Sequence, residues 1–197
     1  MEFKKIQLNG FKSFAEKADF LIDEGLTGIV GPNGCGKSNI VESLRWAMGE
    51  TSAKSMRGSG MEDVIFSGTS NKASKNIAEV TIEVENKDKE GPIQYRDHDQ
   101  IQVKRKIEKD KGSKFYINGK EVRARDAQMF FADLSTGAHS PSMISQGRIG
   151  SLVTAKPTDR RAILEEAAGI SGLHVSCLLY TSPSPRDSGK SRMPSSA

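Results

Sequence analysis

The stretch LTGIVGPNGCGKSNIVESLRWAMGE, Leu26 to Glu50, runs from an apolar segment through a glycine loop into a helical pattern. Within it, Gly31-Pro32-Asn33-Gly34-Cys35-Gly36-Lys37-Ser38 satisfies G-x-x-x-x-G-K-[ST]. Leu26 to Val30 predicts an apolar strand, central in its sheet. Ser38 to Met48 predicts a helix with Ile40, Val41, Leu44, Ala47 and Met48 on one face, stopped by Gly49. A strand before the loop and a helix after it is the arrangement this motif requires. The glycines let consecutive N–H groups turn inward around a phosphate, and the helix start adds its positive end. Lys37 is placed for the β- and γ-phosphates of a nucleoside triphosphate, and the Ser38 hydroxyl for Mg²⁺. Cys35 reads as a small filler, because no adjacent His or acid would activate it as a nucleophile.

The rest of the chain suits a soluble protein with a solvated surface. Of its 197 residues, 36% are hydrophobic and 27% charged. No apolar run could span a bilayer, the start MEFKKIQLNGFKSF lacks a secretory h-region, and two cysteines make no disulfide framework. A cytoplasmic location is the expectation. Strands are predicted at Glu2 to Leu8, Ala18 to Ile22, Ile77 to Val84 and Ile101 to Glu108, where Arg105 falls on the apolar side. Lys114 to Val122 predicts a hairpin, since Asn118-Gly119 supplies a type I′ turn. Ala124 to Leu134 and Pro157 to Ala168 predict helices. The fold class is α/β, with a mixed sheet around the phosphate loop and an antiparallel β-subdomain beside it. From Gln100 to Arg125, nine basic residues face three acidic ones, a local net charge of +6. This run reads either as a solvated hairpin face or as a surface for a polyanion.

Five blocks in order extend the signal beyond the loop: KKIQLNGFKSFAEK, GPNGCGKSNIVESLRWAMGE, AKSMRGSGMEDVIFSGTSNK, ISQGRI and KPTDRRAILEEAAGIS. Together they resemble the ATPase head of the structural maintenance of chromosomes (SMC) family, bacterial members more than the DNA-repair relatives of the RecF and RecN type. The resemblance implies a P-loop NTPase fold of the ABC-type ATPase head, with ATP and Mg²⁺ as cofactors. It places Pro32, Asn33, Gly34, Cys35, Gly36, Lys37, Ser38 and Asn39 around the triphosphate. Gln146 matches the family's Q-loop glutamine, a ligand for Mg²⁺ and an orienter of the attacking water, although alone it reads as a surface glutamine. Arg57 matches a loop arginine that approaches the nucleotide, and Lys12 and Ser13 match a block close to it. Phe11 and Phe14 of that block read equally well as core. The basic run from Lys104 to Arg125 becomes a DNA-facing surface whose phosphate contacts are salt-sensitive and blind to sequence.

Two parts of such a site are missing from the sequence: an apolar strand ending in Asp-Glu, and a Leu-Ser-Gly-Gly signature loop. In the family both lie at the far end of the chain, beyond a coiled coil and a hinge. The expectation is therefore half a head, residues 1–173, with little or no hydrolysis of its own. In the full protein, the resemblance implies ATP-dependent head engagement in a homodimer, a kleisin-type subunit, DNA and a nucleoid-associated location. Residues 174–197, rich in Ser and Pro without periodicity, read as a disordered, non-native tail. Three other readings remain open: a DNA-repair ATPase of the RecF or RecN kind, a self-contained P-loop kinase or GTPase, and a non-catalytic DNA-binding module.

Overall fold

The structure is a computed structural model and describes residues 1–53, 56–87, 89, 91–134, 154–158 and 160–161. Strands β1 (Glu2–Asn9) and β2 (Ala18–Leu21) precede helix α1 (Lys37–Ala47). Strands β3 (Ile77–Glu85), β4 (Gln100–Glu108), β5 (Gly112–Ile117) and β6 (Lys120–Val122) follow, and then helix α2 (Ala124–Asp133). The strands form one six-stranded sheet in the order β2-β1-β3-β4-β5-β6. Every neighbouring pair is antiparallel.

Period-two alternation sets which face is buried. Ala78, Val80, Ile82 and Val84 of β3, and Ile101, Val103 and Ile107 of β4, point into the core. Lys104 pairs with Thr81 and Lys106 with Glu79 on the other face. Helix α1 lies over β3 and β4, and α2 lies against β5. Between them sit Phe11, Trp46, Met48, Met56, Val64 and Phe131, all fully buried. The Phe11 and Trp46 rings meet at 5.5 Å between centroids. The predicted hairpin turn forms as expected, with Asn118 at φ 49° and Gly119 at φ 79°.

Arg105 occupies an inward position in this alternation and is only 3% exposed. Its guanidinium lies between the Trp46 and Phe115 rings, 4.5 and 4.6 Å from their centroids. It donates to the Trp46 and Glu50 carbonyls at 2.7 Å each, while Nε donates to Ser113 Oγ at 3.0 Å. Arg105 thus caps the C-terminal end of α1 with a cation, where the helix dipole is negative. Burial pulls its pKa down to about 10, opposed by the Glu50 carboxylate, so it remains charged at neutral pH.

Two expectations are corrected. Leu26 to Val30 belongs to no strand: Leu26 is 100% exposed, Val30 93%, and Ile29 about half. A central strand needs hydrogen-bonding neighbours on both edges, and no described residue pairs with this segment. The mixed sheet is accordingly not formed among the described residues; the sheet present is wholly antiparallel. On α1, Val41 is exposed and the buried positions are Ile40, Glu42, Ser43, Trp46 and Ala47. At about 100° per residue, Val41 falls on the side of the helix opposite Ser43 and Trp46. The predicted helix from Pro157 is described only at Pro157, Thr158, Arg160 and Arg161, which are helical. Residues 174–197 lie outside the described part.

Candidate nucleotide-binding site

The loop from Gly31 to Gly36 turns through two left-handed glycines, Gly34 at φ 85° and Gly36 at φ 95°. Gly36 is the N-cap of α1, with no side-chain cap hydrogen bond and no acid in the first turn. No side chain caps the amides at the start of α1, where the Asn39 amide donates to the Gly36 carbonyl at 2.9 Å, and a helix start without a side-chain cap is the arrangement that suits an anion. Lys37 Nζ folds back on the loop and donates to the Gly31 carbonyl at 2.5 Å and the Pro32 carbonyl at 2.7 Å. Its ammonium is thereby held at the mouth of the loop. Cys35 is exposed, with Sγ 3.9 Å from that ammonium. Ser38 is exposed one residue into the helix.

The segment Phe11 to Phe14 packs against this loop. A Cβ at Gly36 would overlap the Ser13 hydroxyl and lie 3.4 Å from the Phe14 ring. Asn39 Nδ2 donates to Ser13 Oγ at 2.9 Å. Replacing Gly36→Ala therefore combines a positive φ with a steric overlap. The expected outcome is a stability loss of about 1–3 kcal/mol together with weakened nucleotide binding. Thermal melts and a fluorescent-ATP titration of the variant check both effects.

Lys12 and Arg57 reach the same flank of α1, and both have left-handed backbones, at φ 46° and φ 54°. Lys12 Nζ pairs with Glu42 Oε2 and donates to the Met56 carbonyl at 2.5 Å. Arg57 Nη2 pairs with the other oxygen, Glu42 Oε1, and lies 3.5 Å from Asn39 Oδ1. Close by, Asp63 accepts from the N–H groups of Ser59 and Gly60 and from the Ser59 hydroxyl. The Gly60 amide first, then the Ser59 hydroxyl and amide, hold its carboxyl below the usual range and so fix the turn that follows Arg57. Lys12, Ser13, Arg57 and the residues Pro32 to Asn39 are thus gathered on one side of the molecule. Gln146 lies outside the described residues.

Glu42 escaped the sequence reading. The available signal was a carboxylate inside the apolar row IVESL, with two unpartnered cations in FKSF and SMRG. Among the described residues no three His, Cys, Asp or Glu side chains group for metal binding. The Ser38 hydroxyl, exposed in the first turn of α1, could hold Mg²⁺ together with phosphate oxygens.

The basic run divides under the structure. Arg105 is core, and Lys106, Lys111 and Lys114 pair with Glu79, Glu108 and Glu121 at 3.8, 2.6 and 3.1 Å. Lys104, Lys109, Lys120, Arg123 and Arg125 make no ion pair among the described residues.

Taken together, the fold and site define an α/β P-loop nucleotide-binding head with an antiparallel β-subdomain. Residues 2–148 match the RecF/RecN/SMC N terminal domain, and the chain belongs to that family. The chromosome partition protein Smc of Rhodopseudomonas palustris is 54% identical over 175 residues, covering 89% of this chain and 15% of the relative. This chain thus spans about 15% of the length of that relative. A chain solved in work on ATP-driven dimerization and DNA-stimulated activation of SMC ATPases superposes with a TM-score of 0.72 at 32% identity. That match covers 85% of this chain and 99% of the other. An Smc head bound to the C-winged helix domain of ScpA superposes with a TM-score of 0.79 at 32% identity, over 86% of this chain and 52% of the other. No helix among the described residues is long and apolar enough to cross a membrane.

Proposed function

We propose that this chain is the ATP-binding half of an SMC-type chromosome condensation and segregation ATPase, residues 1–173 forming the N-terminal lobe of its head. The observation that carries the reading is the uncapped start of α1, with Lys37 at the loop mouth and Lys12, Ser13 and Arg57 on its flank. When bound, Mg²⁺ supplies charge neutralisation across the phosphates. Ser38 and Gln146 would hold it, Lys37 would bind the β- and γ-phosphates, and the loop amides would orient them. Hydrolysis would need a second lobe bearing the acidic pair and the signature loop, so the chain alone binds ATP without turning it over.

The same reading explains the exposed strand-like segment. Leu26, Ile29 and Val30 are the surface on which strands of the second lobe would add. Burying each side chain would contribute about 1.5–3 kcal/mol. The relatives support the remaining partners: a homodimer formed by ATP-driven head engagement, a kleisin-type subunit of the ScpA kind, and DNA. DNA contact would fall to Lys104, Lys109, Lys120, Arg123 and Arg125, which make no ion pair among the described residues, rather than to the whole run. A cytoplasmic, nucleoid-associated protein is the corresponding cellular reading, with no membrane partner. Backbone hydrogen exchange tests the lobe assignment, with the C-terminal head half of the Rhodopseudomonas palustris relative added in trans. Amides of Leu26 to Val30 are expected to exchange fast alone and to become protected in the mixture. Unchanged exchange in a complex that demonstrably forms would overturn it.

A further inference from the structure

We propose that Glu42 positions Arg57 for the nucleotide, tethering it beside the phosphate loop and handing it over to a bound triphosphate. The proposal rests on the nucleotide-binding reading above. One carboxylate, buried on α1, serves two cations of unequal depth. The Glu42 side chain is 11% exposed and that of Lys12 14%, whereas that of Arg57 is 59% exposed. Lys12 also has the Met56 carbonyl as a fixed second partner. Glu42 is therefore already neutralised from the inside, and Arg57 is the exchangeable outer partner.

That asymmetry is what a hand-over needs. A buried carboxylate stripped of its single cation is costly, but one that keeps Lys12 is not left alone when Arg57 moves. Meanwhile the tether holds a long, rotamer-rich side chain next to the loop. Asn39, one residue beyond Ser38, holds the Ser13 hydroxyl through its amide and lies 3.5 Å from Arg57. Arg57 is thus held within one helical turn of the phosphate-binding residues. Its guanidinium can bind a phosphate in bidentate fashion, which a lysine cannot. Pre-placing it spares the ordering cost at the moment of binding.

The test compares the full chain with Glu42→Gln, Arg57→Gln and the double variant, using a fluorescent ATP analogue with Mg²⁺. Glu42→Gln keeps the side-chain volume and an oxygen for Lys12. Affinity is expected to weaken about three- to tenfold in Glu42→Gln. In the Arg57→Gln background the same change should cost nothing further, because the effect runs through Arg57. Additive losses would overturn the proposal, since a merely structural carboxylate acts whether or not Arg57 is present. Arg57→Gln alters an exposed side chain, so the Arg57 arm remains readable if Glu42→Gln fails to fold. There an affinity equal to that of the unaltered chain overturns the proposal. A second readout uses no nucleotide: phenylglyoxal labelling of Arg57, followed by mass spectrometry. Labelling should rise up to about fivefold in Glu42→Gln, the population shift supported by an ion pair whose arginine is solvent-exposed. Unchanged labelling overturns the tether itself. ATP binding insensitive to Lys37→Ala would instead mark failure of the nucleotide site. A labelling response without an ATP response would leave a tether with no part in binding, which also overturns the proposal.

Discussion

Replacing Lys37→Ala is expected to weaken Mg-ATP binding about 100-fold while leaving the fold in place. The ammonium sits at the loop mouth, and it donates to two loop carbonyls, Gly31 and Pro32. Those carbonyls lie on exposed backbone and recover water when the side chain is removed. Stability therefore changes little. A bound triphosphate would lose a charge-assisted partner, and the 100-fold loss corresponds to roughly 3 kcal/mol. A fluorescent-ATP titration paired with a thermal melt separates the two effects. Comparable losses of affinity and of melting temperature would mean that Lys37 holds the fold rather than the phosphate.

A second large effect separates two adjacent residues of like charge. Arg105→Ala is expected to cost about 3–5 kcal/mol of unfolding free energy, because it strands the Trp46 and Glu50 carbonyls and empties the slot between Trp46 and Phe115. Lys106→Ala should cost less than about 1 kcal/mol, since its partner Glu79 is 3.8 Å away on the solvent face. Urea unfolding with an unchanged m-value reads both numbers. Equal midpoints for the two variants would refute the buried cation and return Arg105 to the basic surface.

Much of this was legible in the sequence because the signals are local. The glycine loop, the helix after it and the Asn118-Gly119 turn each depend on a few consecutive residues, and each formed where expected. The alternation of β4 even placed Arg105 inward. The sequence could not say what would accompany it, because Trp46 and Glu50 come from the end of α1 and just beyond it, 55 or more positions away, while Ser113 and Phe115 come from β5. Glu42 stayed hidden for the same reason: its partners are 30 and 15 positions N-terminal and C-terminal to it along the chain. Leu26 to Val30 failed in the opposite way. Its apolar character reads as a buried strand, but a strand is a property of its neighbours, and none is present among the described residues. Of the nine cations between Gln100 and Arg125, charge alone could not tell the buried and paired ones from the five that make no ion pair among the described residues.

The central claim is that this chain supplies one face of a two-lobed ATP site. Its most direct measurement is steady-state phosphate release by the chain alone, and again with the C-terminal head half of the Rhodopseudomonas palustris relative added in trans. Release is expected at background for the chain alone, with a clear rise on adding the second half and loss of that rise in Lys37→Ala. Sustained turnover by the chain alone, unaffected by the added half, would contradict that claim and mark a self-contained P-loop enzyme.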